Sequence, residues 1–85
     1  MHEISVVDNL IKILEKICEE NKAKKVIKIN LRINPYSCLD EENLNFIFSS
    51  ITKENEILRK ARIFIKKDLS PFEREYIIEN IEMEV

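Results

Sequence analysis

Apolar residues recur at Ile4, Val7, Leu10, Ile11, Leu14, Ile17 and Cys18, a spacing of three and four that lines one face of a helix. Asp8, Lys12, Glu15, Lys16 and Glu19 fill the opposite face. The run NKAK at 21–24 ends this helix, with Asn21 expected in the left-handed position that glycine usually takes. The period then changes to two. Across 26–33, Ile27, Ile29, Leu31 and Ile33 alternate with Lys28, Asn30 and Arg32, which predicts a strand with one wet face. Asn34-Pro35 stops it, because proline restricts the residue before it and has no N–H for a ladder. Helical spacing returns at Leu44, Ile47, Phe48 and Ile51, with Asp40 in the N-cap position and Glu41 and Glu42 in the first turn. Two further strands follow, over 61–66 and over the last eleven residues, where Ile77, Ile81, Met83 and Val85 are expected on one side.

The order is therefore α-β-α-β-β. A three-stranded sheet with one apolar face and two amphipathic helices to cover it predicts an α+β fold, a two-layer sandwich with both helices on one face of a mixed sheet. The first and second strands should run parallel through the second helix, with the last strand antiparallel. At 85 residues the chain is read as one domain, 1–85, with a short polar connection around 67–75.

Composition narrows the function classes. A formal net charge of -2 gives no general attraction to nucleic acid or to an anionic membrane. The lysines at 22, 24 and 25 read as a solvated turn. No apolar run is long enough to span a membrane, and the first residues lack the pattern of a secretory signal, so a cytoplasmic protein is expected. Glycine is absent, which excludes a glycine-rich phosphate loop or dinucleotide fingerprint. Cys18 and Cys38 form no CxxC pair and are read as reduced thiols.

Catalysis finds little support. No base is available for a nucleophilic triad, because the single histidine is residue 2. The pairs Glu19-Glu20 and Glu41-Glu42 read as surface charge, and no basic residue is arranged near Cys38 in sequence. The chain is not expected to be an enzyme.

A histidine at the second position is usually without function. It also offers a specific chemistry: the terminal amine of Met1, the amide nitrogen of His2 and its imidazole form fused chelate rings in one plane. Such a set suits a d8 or d9 ion such as Ni(II) or Cu(II). Met1 should be retained, since its removal normally requires a small second residue, and the Glu3 carboxylate can complete or orient the site.

Read together, MHEISVVDNLIKILEK, NKAKKVIKINLRI, LDEENLNFIF and YIIENIEMEV resemble the HypA family of nickel metallochaperones across nearly the whole chain. The resemblance implies Ni(II) as cargo, bound through Met1, His2 and Glu3, with Asp40 matching an acidic residue ahead of the second helix. Read from its position alone, Asp40 caps that helix, a role worth about 1 kcal/mol. The family also implies delivery of nickel to [NiFe]-hydrogenase maturation or to urease, with a HypB-like GTPase and the hydrogenase large subunit as partners.

The chain departs from the family pattern in one large respect. Family members carry a zinc-binding domain with two CxxC pairs between the last two strands, whereas this sequence has only KDLSPFERE there and no CxxC. No structural zinc is expected. An alternative reading is an interaction or dimerisation module, with a homodimer joined through a sheet edge, that kept the fold without metal delivery.

Overall fold

The amphipathic pattern at the start of the chain forms helix α1 (Glu3–Asn21), followed by β1 (Lys25–Ile33), α2 (Glu41–Ile51), β2 (Arg62–Lys67) and β3 (Tyr76–Glu84). This is a computed structural model, and it describes residues 3–68 and 75–85. Most of the expected connection around 67–75, residues 69–74, lies outside the described residues, as do Met1 and His2.

The strands form one mixed sheet in the order β2-β1-β3, with β1 parallel to β2 and antiparallel to β3. One sheet face carries Ile29, Leu31 and Ile33 of β1 and Ile63 of β2. It joins Val6, Val7, Leu10 and Leu14 of α1 and Leu44 and Phe48 of α2 in one core. Both helices therefore lie on the same face, giving the expected two-layer α+β sandwich. Each large side chain buried here contributes about 1.5–3 kcal/mol of transfer free energy.

The other face is a charge lattice. Lys28 lies 3.9 Å from Glu82 and 4.7 Å from the centre of the Phe64 ring. Asn30 donates to Asn80 at 2.6 Å, and Arg32 reaches Asp68 at 3.1 Å and Glu79 at 3.4 Å. Glutamates on β3 thus compensate cations on β1 across the antiparallel pair.

Several side chains sit where simple periodicity does not put them. The register of β1 against β3 shifts between Val26 and Lys28, so Ile27 is an extra residue and alternation changes phase. Val26 is buried as a result and Ile27 is 47% exposed, against the expectation that Ile27 belongs to the core face. A second shift, opposite Asn30 and Leu31, has the same effect on β3. There Tyr76 and Ile78, rather than Ile77, pack against the core with Ile81 and Met83, and Val85 is exposed.

In α1, Val6 is buried while Ile4 is 64% exposed, because the helix faces the core one position away from its first apolar residue. Ile51, at the end of α2, is also exposed. The left-handed residue after α1 is Lys22, with φ 53°, not Asn21. Asn21 remains helical, and its side-chain amide donates to the carbonyl of Ile17 at 2.8 Å. The charged 52–60 connection, to which the helical and strand periods assign no element, places Thr52 and Leu58 in the interior, and Ala61, which follows it, is buried as well. Asn55 shapes it by accepting the N–H groups of Ile57 and Leu58 at 2.9 and 3.0 Å.

Candidate metal centre

The loop between β1 and α2 carries the chain from the sheet to the start of α1. Asn34 begins it with an Asx turn, its side-chain oxygen accepting the Tyr36 N–H at 3.0 Å. The backbone N–H of Asn34 and the hydroxyl of Ser37 both donate to Glu75, each at 3.0 Å, which ties the loop to the residue before β3. Leu39 is buried, and its N–H is held by the Ser37 hydroxyl at 3.2 Å. These contacts fix the residue that follows, Asp40.

Asp40 is the N-cap of α2, as its position predicts. Its backbone is extended (φ −114°, ψ 126°), and its Oδ2 accepts the N–H of Asn43 at 2.9 Å. An N-cap residue has an N–H of its own, which a Glu or Gln three residues later often receives in a capping box. Asn43 holds that third position here, and the acceptor comes instead from α1. Glu3 Oε2 accepts the Asp40 N–H at 3.0 Å, and Glu3 Oε1 accepts the side-chain amide of Asn43.

Three hydrogen bonds therefore run in a closed circuit from Asp40 to Asn43, from Asn43 to Glu3 and from Glu3 back to Asp40. Two of them join the first turns of the two helices, between residues 37 and 40 apart in sequence. Carboxylates are favoured in this place by the unpaired amides at both helix N-termini.

Of the four residues singled out from the sequence, the fold brings Glu3 and Asp40 together at one end of the two-helix layer. Met1 and His2 lie outside the described residues, and covalent connection makes His2 the direct neighbour of Glu3. Asn43 was missed. Its only sequence signal is the replacement of the usual Glu or Gln of a capping box by a short amide, and nothing local indicates that Glu3 supplies the missing acceptor. Among the described residues, no group of three or more His, Cys, Asp or Glu side chains is gathered to hold a metal ion. A metal centre at this end requires donors from residues 1 and 2 beside the two carboxylates.

Other features lie apart from this end. A groove of about 440 Å³ is lined by Glu15, Cys18, Glu19, Asn55, Ile57 and Leu58. Burial pushes the Cys18 thiol up from its ordinary pKa, and the neighbouring charge of Glu15 adds to the shift. A second groove, of about 590 Å³, is lined by Phe46 and Ser49 of α2 and by Arg59, Lys60 and Arg62. Neither groove includes Glu3 or Asp40. Both cysteines are free, and among the described residues no helix is long and apolar enough to cross a membrane.

The family model described as hydrogenase/urease nickel incorporation, metallochaperone, hypA matches residues 1–72. The hydrogenase maturation factor HypA of Actinobacillus succinogenes is 37% identical over 54 residues, covering 64% of this chain and 48% of that protein. The protein of the same name from Campylobacter jejuni is 32% identical over 73 residues, 86% of this chain and 62% of its own length. The chain thus spans about half to three-fifths of the curated relatives it matches. The solution structure of the Ni metallochaperone HypA from Helicobacter pylori shares the fold, with a TM-score of 0.80 at 20% identity over 99% of this chain and 98% of that one.

Proposed function

The chain belongs to the HypA family, and on that premise we propose that it binds Ni(II) and carries it for insertion into an enzyme, [NiFe]-hydrogenase in the first instance. The proposed donors are the terminal amine of Met1 and the amide and imidazole nitrogens of His2, with the carboxylates of Glu3 and Asp40 beside them. The observation that carries this reading is the hydrogen-bonded pairing of Glu3 with Asp40 at the N-termini of both helices. It brings Glu3 beside the residue that caps α2, so two residues that carry hard oxygen donors and lie far apart in sequence are neighbours, and Glu3 is covalently joined to the one imidazole-bearing residue.

Nitrogen donors in a plane with carboxylates alongside suit Ni(II), and they also suit Cu(II), which binds such sets more tightly. Selection of nickel then rests on supply and hand-off. A HypB-like GTPase and the hydrogenase large subunit are the proposed partners, and the chain itself acts as carrier, not catalyst. The whole of 1–85 is proposed as one nickel-binding domain, with KDLSPFERE standing where relatives carry a zinc domain. Its two cysteines fall short of the four ligands a structural zinc takes.

Ni(II) calorimetry on protein with a free Met1 tests the site. Stoichiometric binding is expected, with loss of affinity in His2→Ala and in protein carrying a tag ahead of Met1. Equal binding by all three would overturn it. Affinity should also fall in acid, where protons compete with the metal for the nitrogen donors.

A second reading rests on the sheet. Among the described residues β3 has β1 as its one strand neighbour, so its other edge is open to pairing. An interaction module working through that edge would self-associate or bind a partner strand without metal. Light scattering with and without nickel separates the two, since a metal-independent dimer lacking nickel affinity belongs to this reading alone.

A further inference from the structure

Both carboxylate oxygens of Glu3 are engaged by α2 before any metal is considered: Oε2 by the Asp40 N–H and Oε1 by the Asn43 side chain. We propose that Asn43 is a positioning residue which holds Glu3, and with it the start of α1, against the cap of α2 in the metal-free protein. The hydrogen-bonded circuit stands on geometry alone; its consequence for nickel rests on the reading above.

Asn43 is exposed and occupies the third position of α2, where its side chain has no packing duty. A capping box within one helix would have tied this position back to Asp40. An amide cannot accept and donate at one atom, and here the Asn43 Nδ2 turns outward to α1. Glu3 then completes the cap from outside the helix. One end of α2 is thereby satisfied only while α1 begins in this place.

Glu3 is also covalently joined to His2. Anchoring Glu3 removes backbone freedom from the segment that supplies the nitrogen donors, so less ordering remains when nickel binds. The anchor does not exclude ligation. Each carboxylate oxygen has two lone-pair directions, and each accepts one hydrogen bond in the circuit, so a metal can be met without releasing α2.

Two variants separate this role from ordinary packing. Asn43→Ala deletes the donor. Asn43→Asp keeps the side chain's shape and places a carboxylate in the first turn, which the helix N-terminus favours, yet it faces Glu3 with an acceptor. In the metal-free protein, hydrogen exchange by NMR should show the Asp40 amide losing protection in both variants, with helical circular dichroism unchanged. In nickel calorimetry both should bind roughly tenfold more weakly, the worth of ordering about one residue. Wild-type protection at Asp40 in both variants would overturn the circuit. Lost protection with unchanged nickel affinity would overturn the positioning role. If the parent protein binds no nickel, the proposed function fails while the exchange data still decide whether Asn43 holds Glu3.

Discussion

Asn45 and Ile63 are joined in both directions: the Asn45 side-chain amide donates to the Ile63 carbonyl at 2.8 Å, and its oxygen accepts the Ile63 N–H at 2.8 Å. One residue of α2 thus does for the outer edge of β2 what a neighbouring strand would do. Glu41, one turn earlier, accepts the N–H of Ile65 at 2.7 Å. The helix that carries Asp40 therefore also closes this sheet edge, an arrangement that hinders strand-to-strand association there.

Replacing Asn45 by Ala leaves the Ile63 N–H and carbonyl without their partner in a half-buried place. A loss of about 1–3 kcal/mol is expected, read as a lower urea midpoint with unchanged slope. A concentration-dependent increase in association, followed by light scattering, is expected with it.

Asp40 permits its capping role to be separated from its charge. Asp40→Asn keeps a good N-cap and should alter stability by only a few tenths of a kcal/mol, whereas Asp40→Ala should cost about 1 kcal/mol. Nickel affinity should fall in both, because both remove the carboxylate. An Asn variant that binds nickel like the parent would leave Asp40 as a cap only.

The bulge in β1 assigns different fates to two adjacent apolar residues. Val26→Ser, at a buried position, should destabilise by about 1–3 kcal/mol through lost burial and an added buried hydroxyl. Ile27→Ser, on the wet face, should stay within about 0.5 kcal/mol. Equal costs would show that the strand lacks the phase change.

Cys18 introduces a pH dependence. Its native pKa lies above the ordinary 9.0, because burial and Glu15 disfavour the thiolate. Between the unfolded and folded pKa values the native state binds more protons than the unfolded state, so stability falls as pH rises through that window. The contribution is fully present below about pH 9. Denaturation midpoints measured from neutral to alkaline pH should fall more steeply for the parent than for Cys18→Ala. Under native conditions a thiol reagent should modify exposed Cys38 well before Cys18.

Periodicity was sufficient for the order α-β-α-β-β, the middle of both helical faces and the cap at Asp40, because those features depend on residues one or two turns apart, whereas Ile4 and Ile51 at the helix ends are exposed. The alternation Ile29-Leu31-Ile33 found its buried face for the same reason. Phase was lost where a strand gained a residue relative to its partner. Bulges near Ile27 and Glu79 depend on pairing between β1 and β3, which a single segment does not encode. The interior position of Leu58 was hidden in a charged linker for a related reason, since turns supported by Asn55 carry no regular period.

The candidate site divides in the same way. The amine and imidazole chemistry of Met1 and His2 is local, and it is readable from the two residues themselves. The meeting of Glu3 with Asp40, and the part of Asn43 in holding them, arises only when two helices pack on one sheet face. Packing places one helix start beside the other, and the N–H left open at the cap of α2 then finds its acceptor 37 residues earlier in the chain. Short-range preferences thus determined each element and each isolated donor, while tertiary packing decided which carboxylates share a place.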